Sequence, residues 1–159
     1  MNYTMKVKKL FAFLPVLLGM LLFASCDDEK KIDYEDLPAD ARSFVETYFP
    51  GADIVSIIRE KDDGRKEYQV KLSDGTDMEF DENGAWKSIE CYFSALPQGI
   101  LPATVITKVN ELHPEGYING VDKELGGYQV EVTDQEGIDW DMRFNDQFEY
   151  VSQSQDRND

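Results

Sequence analysis

The chain has little of what most hydrolases and metalloproteins use for chemistry. It contains one histidine, His113, and two cysteines, Cys26 and Cys91, in 159 residues. A lone imidazole removes most of the support for histidine-based metal sites and for Ser/His or Cys/His nucleophiles. His113 stands before a proline that ends a helical pattern, and Cys91 lies in an apolar strand pattern. A structural role is therefore favoured for both, and no enzymatic activity is predicted.

Basic residues are also scarce. The chain has 16 Lys and Arg residues against 32 Asp and Glu residues, which gives a formal charge of −16. Such a charge repels DNA, RNA and anionic membrane surfaces. No nucleic-acid partner is therefore predicted, and basic partners or divalent cations are favoured.

No apolar run is long enough for a comfortable membrane span. The apolar run from Leu10 to Ala24 has 15 residues without a charge, whereas a spanning helix needs about 20. Lys6, Lys8 and Lys9 precede it, as in the positive region of a secretory signal peptide. Residues 1–25 are therefore predicted to be a signal peptide that is removed. A plain secretory signal cut near Ser25 and a short membrane anchor are the alternatives to a lipoprotein signal.

The end of this run resembles a bacterial lipobox. Residues 22–26 read Leu-Phe-Ala-Ser-Cys, with Phe23 where leucine is usual. Cys26 is therefore the predicted lipidation site, and several acyl chains would hold the protein at a membrane essentially permanently. The protein is predicted to be an outer-membrane lipoprotein of a Gram-negative envelope. Asp27-Asp28-Glu29 resembles the acidic run that sends some lipoproteins to the cell surface, while a solvated tether is the alternative.

Loss of residues 1–25 has two further consequences. It removes three lysines and no acid, which takes the formal charge from −16 to −19. Cys91 is then the only cysteine not used for lipid, so an intramolecular disulfide is impossible. Packed apolar area alone must stabilise the fold.

The chain also carries an internal repetition. Leu37-Pro38-Ala39 opens one segment, and Leu101-Pro102-Ala103 opens another. At a constant spacing, residues of the first segment align with similar residues of the second: Ala41 with Val105, Val45 with Val109, Tyr48 with Leu112, Pro50 with Pro114, Ile54 with Ile118, Met78 with Met142, Phe80 with Phe144 and Trp86 with Tyr150. Fixed self-similarity indicates a repeated folding unit. The predicted divisions are an acidic tether over 26–36, repeats over 37–95 and 96–153, and a polar tail over 154–159.

Each repeat is predicted to be a helix followed by strands. Leu37, Ala41, Phe44, Val45 and Tyr48 fall on one helical face. Strict alternation in Glu67 to Leu72 is typical of a half-buried antiparallel strand. The predicted fold class is α+β, with two tandem units of one helix and a four-stranded antiparallel sheet. The two units side by side could form a wide sheet with helices on one side.

Loop lengths predict the strand registers. A three-residue loop over 73–75 would pair Val70 with Met78 and Tyr68 with Phe80. In the second copy, a loop over 133–137 would pair Val132 with Ile138, Val130 with Trp140 and Tyr128 with Met142. Trp86 is in phase with Phe80, but Ile89, Cys91 and Phe93 have the opposite parity. A β-bulge in that strand would reconcile them, although the sequence does not establish one.

The polar sheet face is the strongest candidate for a functional surface. Acidic platforms speed encounter with basic proteins or peptides and sharpen selectivity. The residues predicted to bind such a partner are Glu67, Gln69, Lys71, Asp77, Glu79, Gln129, Glu131, Asp139, Asp141 and Arg143. Trp86, Tyr92 and Tyr150 would be anchors at its margin if bulges turn them outward. A merely hydrated face is the alternative.

The acidic turns are weaker candidates. They lie at Asp62-Asp63, Asp74 to Asp77, Asp81-Glu82 and Asp139 to Asp141. None has the twelve-residue calcium loop with its closing glutamate, and aspartate and glycine favour turns on conformational grounds. No metal site and no cofactor are predicted. A calcium or small-ligand sensor remains the alternative function, and a carboxylate-pair hydrolase is a third.

The ordered set of motifs over residues 37–153 resembles the PepSY-like family that is described as beta-lactamase-inhibitor-like. The residues that carry the resemblance are Leu37-Pro38, residues 48–52, 67–72, 74–75, 79–81, 83–86, Leu96-Pro97 and residues 100–102. The resemblance implies an exported or lipidated envelope protein of Gram-negative bacteria.

The same resemblance implies a binding function. The family name reflects a likeness to an inhibitor whose concave sheet grips an enzyme, and related PepSY domains are associated with the restraint of peptidases. A protein or peptide partner, and restraint of a peptidase, are therefore expected. The second copy departs from the pattern, because Asn145 to Phe148 has no glycine where Asp81 to Gly84 has one.

Overall fold

The computed structural model describes residues 29–62 and 64–156, except the side chain of Asp62. The predicted signal peptide and Cys26 lie outside these residues. The strands are β1 (Lys30–Lys31), β2 (Ile54–Asp62), β3 (Arg65–Leu72), β4 (Thr76–Phe80), β5 (Trp86–Cys91), β6 (Tyr117–Glu124), β7 (Gly127–Thr133), β8 (Asp139–Asn145) and β9 (Tyr150–Gln155). The helices are α1 (Ala39–Tyr48), α2 (Ala103–Leu112) and a 3₁₀ turn, Tyr34–Asp36.

All nine described strands form one antiparallel sheet in sequence order. The predicted fold class, two tandem units of one helix followed by a four-stranded antiparallel sheet, is therefore wrong. The decisive contact is between β5 and β6, where Ile89 pairs with Val121 and Glu90 with Gly120. If the sheet were divided here, β5 and β6 would each be an edge strand with unpaired backbone N–H and C=O groups. Their pairing removes both of these edges.

Both helices cover the same face of this sheet. Ala41 and Val45 of α1, and Val105 and Val109 of α2, are buried in one apolar cluster with the sheet. On the sheet, the cluster is built on a row of directly paired residues, which we call the core row: Ile57, Val70, Met78, Ile89, Val121, Val130 and Met142. None of these seven is more than 3% exposed. The opposite face has no layer of described residues over it.

The register predictions are confirmed in one place and wrong in another. Val70 pairs with Met78 and Tyr68 with Phe80, as predicted. Val130, however, pairs with Met142 and not with Trp140. The turn explains the shift, because the Asp134 carboxylate accepts the N–H groups of Glu136 and Ile138 and so keeps Ile138 out of the strand. The shift is two residues, so every side chain keeps its predicted face.

A bulge in β5 reconciles the two phases, because Glu79 pairs with Ser88 whereas Phe80 pairs with Trp86. Order begins earlier than the predicted tether allowed. Lys30–Lys31 pairs with β2, and Ile32, 8% exposed, belongs to the core. The helices begin at Ala39 and Ala103, one residue after each proline.

Gly84 sets the approach of α1 to the turn between β4 and β5. A Cβ at this position would lie 2.7 Å from the backbone nitrogen of Ala41 and 3.0 Å from the Cβ of Pro38. The backbone also has φ +89° there. Glycine is therefore needed both for its conformation and for the close contact.

We predict that Gly84→Ala destabilises the fold by roughly 2–3 kcal/mol more than Gly51→Ala, because only the former meets backbone atoms. Gly51 is the matched control, since its φ is +87° and nothing lies within 4 Å of its added Cβ. Urea unfolding followed by tryptophan fluorescence measures both. Equal losses in the two variants would show that the contact with α1 is not tight.

Candidate functional site

The open face of the sheet carries a group of six carboxylates, which we call the acidic cluster. They are Asp77, Glu79, Glu90, Asp122, Glu131 and Asp141. Each follows from the core row, because residues next to a buried strand position point to the other face. In one line across the sheet, Asp77 pairs with Glu90, Glu90 with Gly120, Gly120 with Glu131 and Glu131 with Asp141.

The ten residues predicted to bind a partner all lie on this face, but in two groups. Glu67, Gln69, Lys71, Asp77 and Glu79 are on β3 and β4, and Gln129, Glu131, Asp139, Asp141 and Arg143 are on β7 and β8. Strands β5 and β6 separate the groups. The two strands between the groups, β5 and β6, carry the residues of this face that sequence reasoning missed.

The missed residues are Ser88, Glu90 and Asp122. The bulge in β5 was the available signal for the first two, because it puts Ile89 and Cys91 in the core and their neighbours on the open face. Asp122 depends on a second bulge, between Ile118 and Gly120 in β6. No turn or spacing in the sequence indicates that bulge.

Glu131 occupies the middle of the acidic cluster in an unusual way. It pairs with Gly120, and its carboxylate lies over that glycine: Oε2 is 2.8 Å from where a Gly120 Cβ would be. Gly120 pairs with Glu90 on its other side, and the charge of Glu90 acts on Glu131. Two acids, from β5 and β7, are therefore brought together on either side of one glycine.

This convergence changes the protonation of the cluster. Burial, and next the charge of Glu90, raise the pKa of Glu131 to about 8. Burial is also the main cause that raises the pKa values of Glu79, Glu90, Asp122 and Asp141. Neighbouring acids add to each shift, since carboxylates at close range disfavour each other's ionisation.

Basic side chains reach only the margins of the cluster. Lys71 Nζ is 3.0 Å from Asp77 Oδ2, and Lys87 Nζ is 2.6 Å from Glu67 Oε1. Arg143 Nη1 lies 3.7 Å from Glu124 Oε2. Within residues 29–62 and 64–156, no ion pair involves Glu79, Glu90, Asp122, Glu131 or Asp141.

Few neutral donors compensate. The Ser88 hydroxyl donates to Asp122 Oδ1 at 2.5 Å, and Tyr92 hydrogen-bonds Glu90. Asp77 Oδ1 is buried and has no hydrogen-bond partner in the described part of the chain. The cluster thus presents a concentrated acceptor surface.

Of the three predicted aromatic anchors, only Tyr92 lies at the cluster. It is 56% exposed, and burial of its hydroxyl, then the bond to Glu90, raises its pKa. Trp86 and Tyr150 pack on the helix side, where Trp86 contacts Tyr128 and Tyr150 contacts Phe144.

His113 and Cys91 lie away from the acidic cluster. His113 is 6% exposed, bonds Gln153 through Nε2 at 2.9 Å and packs on Trp140. Cys91 is buried in the core, and burial raises the pKa of its thiol. These contacts agree with the structural interpretation of both residues.

In the acidic turns, aspartate carboxylates accept hydrogen bonds from backbone N–H groups of the same turn. Asp74 accepts the N–H of Thr76, and Asp81 accepts those of Asn83 and Ala85. An open pocket of about 430 Å³ lies beside the Asp74 turn and the end of α1. Among the described residues, no three His, Cys, Asp or Glu side chains are placed to hold a metal ion, and no helix is long and apolar enough to cross a membrane.

The raised pKa of Glu131 predicts how stability depends on pH. The folded protein holds this proton more tightly than the unfolded chain does, so the contribution of Glu131 to stability is greatest below pH 4.5 and is lost as the pH rises through about 8. Glu131→Gln should remove this penalty and stabilise the fold at pH 8.5 by on the order of 2–4 kcal/mol. Urea unfolding between pH 5 and 8.5 measures the effect.

Glu136→Gln, in the exposed turn between β7 and β8, is the control and should keep the wild-type profile. If Glu131→Gln loses stability with pH as steeply as wild type, Glu131 is not the group that titrates.

Comparisons with known proteins agree with this architecture. The profile of the family described as "Putative beta-lactamase-inhibitor-like, PepSY-like" matches residues 66–151, and that of the "Peptidase propeptide and YPEB domain" matches residues 38–87. No curated protein matches significantly.

Three solved structures from Bacteroides are similar throughout their length. A "putative periplasmic protein" from Bacteroides vulgatus ATCC 8482 is 28% identical, with a TM-score of 0.74 over 81% of this chain and 98% of that one. A "putative calcium-regulated periplasmic protein" from Bacteroides thetaiotaomicron is 23% identical, with a TM-score of 0.72 over 80% and 97%.

A "putative periplasmic protein of unknown function" from Bacteroides vulgatus is 23% identical, with a TM-score of 0.72 over 79% of this chain and 98% of that one.

The resemblance expected from the sequence motifs is confirmed. Since the first profile covers more than half of the chain, the protein belongs to the beta-lactamase-inhibitor-like, PepSY-like family.

Proposed function

We propose that this protein is a non-enzymatic binding protein of the Gram-negative cell envelope that engages a basic protein or peptide through the acidic cluster. The observation that carries the proposal is the set of five central carboxylates that lie on an open sheet face without an ion pair to any described residue. Lys87 and Arg143 act on Glu79 and Asp141 from a distance and compensate only part of the mutual repulsion. Cations supplied by a partner would relieve the rest.

Several features favour binding over catalysis. The lone histidine is engaged with Gln153 and Trp140, and the described cysteine is in the core. Neither faces the acidic cluster. Membership of a family named for inhibitor-like and propeptide domains supports restraint of a peptidase as the form that this binding takes.

The central charges also predict that binding is linked to protons. Glu131, whose pKa is about 8, is largely protonated at neutral pH and must ionise to pair with a cation. A lysine side chain keeps its charge to about pH 10. Binding of a basic partner should therefore release a proton and strengthen as the pH rises from 6 to 8.5.

A defined probe tests this role. We predict that fluorescein-labelled octalysine binds the protein, that octaglutamate does not, and that anisotropy titrations show the pH dependence above. The triple variant Glu90→Gln, Asp122→Asn, Glu131→Gln should weaken binding by about tenfold or more and abolish that dependence.

The control removes the same number of charges from exposed turns, in Glu82→Gln, Glu115→Gln, Asp146→Asn. It should bind octalysine within about threefold of wild type, a loss that corresponds to less than one charge pair. If both triple variants lost octalysine affinity equally, the effect would depend only on net charge. That result would contradict a binding site on the open face.

The location in the envelope has its own support. The sequence before Cys26 resembles a lipobox, and three similar structures are of proteins described as periplasmic. We infer that the mature protein is anchored in the outer membrane by lipid on Cys26, with the adjacent acids favouring the cell surface over the periplasmic side.

Metabolic labelling with an alkynyl fatty acid tests the anchor. Wild-type protein should be labelled and sediment with membranes, and Cys26→Ser should lose the label and appear in the soluble fraction. Cys91→Ser is the matched control, because this thiol is buried and should leave labelling unchanged. A labelled Cys26→Ser protein would contradict lipidation at this position.

A calcium-binding sensor is the second candidate. One similar protein is described as calcium-regulated, but in the described part of this chain no three acidic or other ligating side chains are placed to hold a metal. A calcium titration that raises the unfolding temperature, and loses this effect in the acidic-cluster variant, would favour the sensor over a basic partner.

A further inference from the structure

The two edges of the sheet are built differently. One edge ends in β1, which has two residues, both lysines. The other ends in β9, which has six residues, Tyr-Val-Ser-Gln-Ser-Gln, without a charge or a proline. Short, charged strands protect sheet edges from further pairing, whereas a longer uncharged strand leaves its backbone groups available.

The outward groups of β9 can be identified from its pairing. The N–H of Asp156 donates to the carbonyl of Asp139 at 2.8 Å, so position 156 faces β8. In an antiparallel pair the inward positions alternate, and Ser154 and Ser152 therefore face β8 as well. Gln153 and Gln155 direct their N–H and C=O groups away from the sheet. No described strand lies beyond them.

The two sides of this edge differ in chemistry. On the open face, Ser154 pairs with Asp141 and Ser152 with Arg143, and Asp139 and Asp156 are next to them. Serine is short, so a long cationic side chain on a tenth strand could pass over Ser154 to Asp141. On the helix side, Tyr150 is 37% exposed beside Lys108 of α2, which offers apolar ring surface.

We propose that β9 accepts an extended peptide as a tenth strand, with basic residues alternating with apolar ones. The backbone groups of Gln153 and Gln155 bond the peptide, its cations face Asp141 across Ser154, and its apolar side chains pack beside Tyr150. Addition of a strand to a sheet edge combines main-chain affinity with side-chain selectivity at alternate positions. This site lies at the sheet edge, shares only Asp141 with the acidic cluster and does not require the cluster's other members.

Charge identifies the occupant as a peptide of opposite sign rather than a second copy. Each chain carries a formal charge of −16. Edge-to-edge pairing of two copies would bring their acidic faces into register and set like charges beside each other, which is destabilising. A basic peptide strand is instead attracted by the negative charge of the protein.

The test uses the whole protein and the labelled peptide acetyl-(Lys-Val)₄-amide in anisotropy titrations. A peptide of the same composition with the period changed, (Lys-Lys-Val-Val)₂, should bind about tenfold more weakly, because its cations fall on both faces. A (Lys-Val)₄ peptide in which every backbone nitrogen is methylated keeps all of its charges but has no backbone N–H group to donate. It should also bind about tenfold or more weakly than the parent peptide. Binding of either peptide as tightly as the parent would overturn strand addition.

Protein variants locate the edge. Gln153→Pro removes an outward N–H and leaves the ladder to β8 intact, so it should weaken binding of (Lys-Val)₄ by about tenfold relative to Gln153→Val. Both variants lose the side-chain bond to His113, so their difference reports the backbone alone. If Gln153→Pro does not fold, the comparison of the parent and backbone-methylated peptides on the wild-type protein tests the same backbone hydrogen bonds.

The acidic-cluster triple variant separates this site from the proposed function. It should keep (Lys-Val)₄ binding within about threefold, since the edge is intact. If that variant loses the peptide while Gln153→Pro retains it, the peptide uses the open face, and the β9 assignment is overturned while the proposed function stands. A dimer in sedimentation velocity that Gln153→Pro dissolves would overturn the peptide as occupant.

Discussion

The pairing of Ile89 with Val121 is the contact on which the rest of the structure depends. It joins β5 to β6 and makes the core row continuous from β2 to β8, with every member at 3% exposure or less. One apolar face can then be covered by both helices. Loss of this pairing would leave two small sheets, each with an open edge and about half of the core, and small cores give marginal stability.

The same contact creates the acidic cluster. Because side chains alternate along a strand, burial of Ile89 and Val121 forces Glu90 and Asp122 onto the open face. Gly120 then leaves the space into which Glu131 leans. The carboxylates are thus brought together by the packing of the other face, and their repulsion is a cost that the apolar core offsets. A basic partner would convert that cost into affinity.

Much of the local structure was predictable from the sequence. The alternation in residues 67–72 and the loop over 73–75 were enough to place Tyr68 against Phe80. The change of phase after Trp86 was compatible with a bulge but did not establish one. The predicted register of β7 with β8 was wrong because the Asp134 carboxylate accepts the N–H groups of Glu136 and Ile138 and so holds Ile138 in the turn. Glu90 was missed although the bulge in β5 could have indicated its face, and Asp122 was missed because no local pattern indicates the bulge in β6. That the two acids lie side by side depends on the pairing of β5 with β6, which are far apart along the chain with α2 between them.

The sequence by itself determined the scarcity of histidine and cysteine, the excess of acids, the helix and strand periods and the family. These are properties of composition and of near neighbours along the chain, where backbone geometry couples a residue to those within a few positions. Only the tertiary structure decided that one sheet replaces two, that Glu131 faces Glu90 over a glycine, and that β9 is left as an open edge. Those outcomes follow from burial and strand pairing between distant segments, whose free energies depend on contacts that no local pattern specifies.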